Sequence, residues 1–250
     1  MKKTIFFIIL GVLTVGCIIF GSVYHVSGGF RNLKRMGFFV SDDWDDDGTY
    51  NWHFGISGDD EESNGSIDQK LESFKSISID SSIMEIRIEE GDNFNIRGSW
   101  NKDWLRPEVE VKNGTLDIRQ KLKRHYNNGS NKCRITISVP AGTVLKDINI
   151  QSNVGEIQFR KINAGDIDID LNVGEIDLND VSFDSVIINN NVGEVSVDST
   201  VKLDDYDISL STDVGVVEVN GRSYKRSYNQ HGNGKKKVRI NTNVGEVTLR

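Results

Sequence analysis

The chain of 250 residues is poor in the residues that build helices, with only 13 Leu and 2 Ala against 27 Ile and 24 Val. Such an excess of β-branched aliphatics excludes an all-helical fold. Cysteine is as scarce: Cys17 and Cys133 are the only two, and the first stands inside an apolar run with no partner in reach. A disulfide framework is therefore excluded. Basic residues do not outnumber acidic ones, since 30 Lys+Arg meet 37 Asp+Glu for a formal charge of −7. General nucleic-acid binding, which needs a basic face to release counterions, is not expected. The four histidines, His25, His53, His125 and His231, have no metal-ligand spacing to Cys or to one another. No G-x-S-x-G, P-loop or dinucleotide-binding glycine pattern occurs either, so no cofactor is expected. Apolar residues at 37%, with 24 Gly besides, still provide for a sizeable core.

One long hydrophobic run is present, Ile5 to Val23, preceded by Lys2 and Lys3 and followed by no charge until Arg31. Its length suits a single membrane-spanning helix at about 1.5 Å of rise per residue. A cleaved secretory signal and lipoprotein attachment at Cys17 are the alternatives, but no A-x-A site appears and Ile18-Ile19-Phe20 continues the apolar run past the cysteine. Residues 1–36 are thus expected to form a membrane anchor with basic flanks. The bulk of the chain is expected on the extracytoplasmic side of a bacterial cell membrane.

Residues 37–73 read as an acidic linker. Between Arg35 and Lys70 there are ten acids and no Lys or Arg, a block that repels itself and stays extended. Within it Asp43-x-Asp45-x-Asp47-Gly48 copies the opening of an EF-hand calcium loop, yet position twelve is Phe54 where a bidentate Glu is required. A solvated spacer is the simpler reading.

From residue 74 to 250 one motif recurs: Asn153-Val-Gly-Glu-Ile-Gln-Phe159, Asn172-Val-Gly-Glu-Ile-Asp-Leu178, Asn191-Val-Gly-Glu-Val-Ser-Val197, Asp213-Val-Gly-Val-Val-Glu-Val219 and Asn243-Val-Gly-Glu-Val-Thr-Leu249. An alternating apolar pair precedes each copy, as in Ile167/Ile169 before Asn172, and a degenerate unit runs from Ile77/Ile79 to Ser82-Ile-Met-Glu-Ile-Arg-Ile88. Each unit reads as strand, turn, strand, and about 20 residues cannot bury their own apolar face. The units must stack into a coil that advances one strand spacing, about 4.8 Å, per turn. The pattern predicts an all-β, single-stranded β-solenoid of about 8–9 short turns. Val154, Val173, Val192, Val214 and Val244 are expected to form one interior ladder, and Ile157, Ile176, Val195, Val217 and Val247 another. Gly155, Gly174, Gly193, Gly215 and Gly245 would mark a corner. The extra residues of the later units would be loops outside the coil. A leucine-rich repeat shares the I-x-I-x-x-N spacing, but its Leu-rich return segment is missing.

These N-V-G-E-I-x-L units, the Asn220-Gly221 step, the polar Tyr/Gly-rich insertion and the closing Ile240-Asn-Thr-Asn-Val-Gly-Glu-Val-Thr-Leu resemble the bacterial putative-adhesin β-strand-repeat family, also called Toastrack-like. The resemblance implies a single-stranded β-helix-like fold, an envelope location and no established enzymatic activity. It carries over no catalytic residues.

Two surface features stand out. Glu156, Glu175, Glu194 and Glu246 recur at one repeat position, predicting a row of carboxylates that faces water, either solubilising or cation-associating; Val216 breaks it. Arg222, Lys225, Arg226, Lys235, Lys236, Lys237 and Arg239 fall in an insertion with no acid and with Tyr224 and Tyr228 interleaved, a candidate contact for an anionic envelope polymer, a lipid surface or a membrane protein. The function expected is a non-enzymatic adhesion, scaffold or interaction module of the envelope. The alternatives are a regulatory envelope-stress component working through a membrane partner and a β-helix polysaccharide-active enzyme. The modest net charge divides into +5 for residues 1–36, −10 for 37–69, −9 for 70–221 and +7 for 222–239.

Overall fold

A computed structural model describes residues 41–44, 50–53, 65–120, 131–234 and 236–250. The apolar run 5–23, most of the acidic segment and the centre of the EF-hand-like stretch lie outside the described residues. No α-helix occurs among the described residues. The chain divides into two units, Met1–Glu62 with Arg124–Lys132, and Ser63–Lys123 with Cys133–Arg250. In the smaller unit, β1 (Ser41–Trp44) pairs antiparallel with β2 (Tyr50–His53).

The larger unit holds fifteen strands in one sheet. They are β3 (Gly65–Lys70), β4 (Ser76–Ile83), β5 (Glu85–Gly91), β6 (Asn95–Trp100), β7 (Glu108–Lys112), β8 (Thr115–Arg119) and β9 (Cys133–Pro140). Then follow β10 (Val144–Arg160), β11 (Asn163–Val181), β12 (Ser185–Val192), β13 (Val195–Ser199) and β14 (Tyr206–Val219). The chain closes with β15 (Arg222–Tyr224), β16 (Ser227–Gln230) and β17 (Lys236–Leu249). Strand β3 lies within the stretch expected as a spacer and pairs antiparallel with β6, so the sheet begins before residue 74.

Each rung of the solenoid is a bent ribbon with two arms. The first arms pair in parallel in the order β8, β4, β10, β11, β12, β17, β14, and the second arms in the order β9, β5, β10, β11, β13, β17, β14. Seven rungs are therefore stacked, fewer than the 8–9 turns expected, because part of the array forms antiparallel end caps. Nor is the order sequential. The last repeat, β17, is inserted between the third, β12/β13, and the fourth, β14.

The reason is a local turn. Asn220 and Gly221 both have positive φ, 51° and 75°, and join β14 to β15 as an antiparallel hairpin. This is the turn chemistry that matches the twist of two adjacent strands. Strands β15 and β16 thereby occupy the outer edge of β14, and the chain can return in parallel only on its inner edge. The insertion expected as an external loop is thus an end cap and the start of a rung. Asn113 and Gly114, with φ of 53° and 75°, do the same at the other end, where β7 covers β8. Paired in this way, the outermost parallel strands present no bare edge.

The interior follows the alternation. Ile157, Ile176, Val195, Val247 and Val217 are at most 1% exposed and form one ladder, and Phe159, Leu178, Val197, Leu249 and Val219 form a second. The ladder expected from Val154, Val173, Val192, Val214 and Val244 is not interior: all five lie at the shoulder of the bend, outside the buried core. The space inside the bend is filled instead by the residue before each Asn, giving a buried column of Ser81, Ser152, Leu171, Asn190, Thr242 and Thr212. Apart from Leu171 these side chains are short and polar, and most of them find a hydrogen-bond partner inside the stack, as burial favours. Ser81 Oγ donates to Ser152 Oγ at 2.9 Å, Asn190 Nδ2 to the Gly174 carbonyl at 3.1 Å, and Thr212 Oγ1 to the Gly245 carbonyl at 3.1 Å.

The glycine column marks the corner, as expected. Its four members from Gly174 onward have φ between 137° and 152°, and a β-carbon on any of the five glycines would lie within 2 Å of a carbonyl oxygen of the adjacent rung.

Candidate binding surface

Outward positions of the second arm carry the acidic row. Glu156 and Glu175 are register partners, Glu194 and Glu246 follow through the β13 and β17 pairings, and Val216 lies opposite Glu246 at the end. The four glutamates expected from the repeat are thus brought together. A fifth, Glu85, opposes Arg134 in the rung beyond Glu156 and was legible as the Glu of the degenerate unit. Like charges one strand spacing apart repel, and the fold answers this partly with neighbours. Arg134 Nε lies 2.5 Å from Glu85 Oε2, and Gln158 donates to Glu156. At the other end burial raises the Glu246 carboxyl above its usual range, and the Glu194 and Glu218 carboxylates add to the rise. Among the described residues no group of three or more His, Cys, Asp or Glu is placed to hold a metal ion. The row is a charged stripe along the solenoid axis.

The basic residues do not form one loop. Arg222, Lys225 and Arg226 are exposed on the β15–β16 cap, whose Tyr224 and Tyr228 rings pack with centroids 4.9 Å apart. Lys237 and Arg239 are exposed outward positions of β17, flanked by Ser185 and Asp207, and by Ile187 and Ser209. Lys236 ties rungs together: its Nζ lies 2.9 Å from Asp184 Oδ1 and 5.5 Å from the centre of the Tyr206 ring, linking the inserted rung to both neighbours. Lys235 lies outside the described residues. The hairpin cap therefore carries the part of the basic set that stands apart from the rungs.

On the outside of the first arm two amide ladders run along the axis, which the repeat spacing alone had not revealed. Asn172 Nδ2 donates to Asn153 Oδ1 at 2.7 Å, Asn191 to Asn172 at 2.7 Å, and Asn243 to Asn191 at 3.1 Å. Two residues earlier, Asn189 donates to Asp170 at 2.8 Å and Asn241 to Asn189 at 3.1 Å. Their bond order repeats the interleaving of β17.

A known family model matches residues 74–222, which span β4 to the start of β15. The chain belongs to the Toastrack DUF4097 family. Three solved structures are similar to it. A putative cell adhesion protein from Clostridium sporogenes shares 20% identity, with 74% of this chain and 98% of that chain covered, at a TM-score of 0.57. A putative adhesin from Bacteroides fragilis shares 13% identity over 74% and 96% of the chains, at 0.36. A putative lipid binding protein from Parabacteroides distasonis shares 14% over 75% and 98%, at 0.25. The similarity to the Clostridium sporogenes protein shows a shared fold. No curated protein matches the chain.

Proposed function

We propose that the chain is a membrane-tethered, extracytoplasmic adhesion or scaffold module, held by residues 5–23 and presenting its Toastrack solenoid to an anionic envelope partner. The observation that carries this reading is the interlocked stack. Because each corner glycine abuts the next rung and β17 is held between two others, the outward columns keep one fixed spacing. Groups held in this way lose little entropy on binding a partner. The basic cap, Arg222, Lys225 and Arg226, is the contact proposed. The name of the Clostridium sporogenes relative, a putative cell adhesion protein, agrees with this reading.

Replacing Arg222, Lys225 and Arg226 with Ser leaves Lys236 and its ion pair intact and tests the contact. Retention of the triple variant on anionic cell-wall material and on anionic liposomes is expected to fall several-fold, and retention equal to the parent overturns the reading. For the anchor, deletion of residues 1–36 is expected to move the protein from the membrane to the soluble fraction of fractionated cells.

A further inference from the structure

At the end of the sheet opposite the basic cap, the outward residues of four neighbouring strands form a groove of about 470 Å³. The strands run in the order β5, β9, β6, β3, and their registers place Thr136 of β9 directly between Arg87 of β5 and Arg97 of β6. Arg134, two residues before Thr136, is on the same face, opposite Ser99. A small hydroxyl residue is therefore ringed by three guanidinium groups. A short side chain flanked by long ones leaves a depression on a pleated surface, and here its floor is polar.

The guanidiniums have acidic neighbours: Asp68 of β3 lines the groove directly opposite Arg97 and accepts a hydrogen bond from Asn95, and Glu89 and Glu85 lie beside Arg97 and Arg134, yet all three arginines are exposed. Arg97 and Glu89 are 3.8 Å apart, and the arginine side chain is 59% exposed against 29% for the acid. Arg134 is 70% exposed against 23% for Glu85. Arg87 bonds to a neutral acceptor, Gln158 Oε1, at 2.7 and 3.0 Å. Each arginine thus leans on the sheet at one edge, and the two with acidic partners extend further into solvent than those partners. Five N–H donors per guanidinium leave several directed outward.

We propose that this groove binds a phosphoryl oxyanion, seated over Thr136 between Arg87, Arg97 and Arg134. Planar guanidinium forks match the paired oxygens of a phosphate and give bidentate, charge-assisted bonds, which a cluster of lysines would not supply. The Thr136 hydroxyl adds one donor from below, and Ser99 lies beside Arg134 at the rim. A free phosphate and a phosphodiester of an envelope polymer present the same oxygens, so the groove geometry admits both. The site is distinct from the basic cap, which lies beyond β14 at the far end of the stack.

The test uses the full chain in a neutral detergent, titrated calorimetrically with inorganic phosphate and, separately, with poly(glycerol phosphate). Binding of at least one probe is expected, weakened about tenfold or more by Arg87→Gln with Arg97→Gln, two exposed positions outside the core. Thr136→Glu, which sets a carboxylate at the centre, is expected to do the same and provides the answer if the double variant does not fold. Phosphate binding alone assigns a free anion, and polymer binding with or without it assigns a phosphodiester chain as a ligand. No binding of either probe, or equal binding by parent and groove variants, overturns the proposal. The Arg222/Lys225/Arg226→Ser variant separates the two sites: it is expected to keep groove binding even if its retention on cell-wall material is lost.

Discussion

Gly245 and Gly193 abut in adjacent rungs although the whole of β14 and its hairpin separates them in sequence: a β-carbon on Gly245 would lie 1.8 Å from the carbonyl oxygen of Gly193. That contact exists only because the last repeat enters the stack ahead of the one before it. Gly245 also has φ of 147°, a conformation L side chains rarely adopt. Gly245→Ala is therefore expected to cost more than about 3 kcal/mol, since backbone must move to admit the methyl group. Gly221, at φ of 75° with open space around it, provides the comparison. Gly221→Ala is expected to cost about 1 kcal/mol. Urea denaturation of both variants checks the difference, and similar losses would mean that the two rungs are not packed this closely.

Thr242 belongs to the buried column inside the bend, and its Oγ1 and the neighbouring Asn190 Oδ1 are buried without a hydrogen-bond partner. An unmatched buried hydroxyl costs about 1–3 kcal/mol of desolvation. Thr242→Val, which keeps the branched shape, is expected to hold or raise the melting temperature. Thr212→Val, which removes a bond to the Gly245 carbonyl, is expected to lower it. Thermal melts of the two variants decide this, and a drop on Thr242→Val would show that its hydroxyl is satisfied in solution.

Burial pushes the Cys133 thiol up to about 12, with the Glu85 carboxylate contributing and a Gln120 hydrogen bond opposing. The thiolate is the reactive species. In a Cys17→Ser background the folded protein is expected to resist a thiol-disulfide reagent at pH 8 and to react fully once unfolded in guanidinium. Rapid labelling of the native form would contradict the packed position at the start of β9.

The Glu246 carboxyl has a folded pKa raised above its unfolded value, by burial first and then by Glu194 and Glu218. Its contribution to stability is therefore fully present below the unfolded pKa and is lost as pH rises through the folded one. Glu246→Gln removes the charge, so the variant is expected to melt about 1–3 °C above the parent at pH 7. Near pH 4 the difference is expected to shrink as the parent protonates. Melting curves across that range check the sign, and a gain that grows on acidification would exclude it.

Much of this was legible in the residues. The scarcity of Leu and Ala beside abundant Ile and Val indicated strands, the alternation of Ile167, Ile169, Ile176 and Leu178 marked the inward face, and the recurring Gly located the corner. The glutamate row followed from its place in the motif. What the period could not supply was the fate of Val173 and its equivalents, because alternation breaks at a bend and the inside of the bend has room for only one side chain per rung. The three arginines around Thr136 were equally hidden: they come from three strands, one of them antiparallel to the other two, and share no repeat position.

The sequence by itself determined that the repeat region is all-β, that its units stack, and which residues of each unit face inward along the arms, since these depend on local periodicity and on glycine at a crowded corner. Only the tertiary structure decided how many rungs there are and in what order they lie. Rungs lined alike by Ile and Val can pair with one another in any order, so neither local propensity nor period selects a neighbour. The choice depended on which edge of β14 was still open, and the Asn220-Gly221 turn had already closed one.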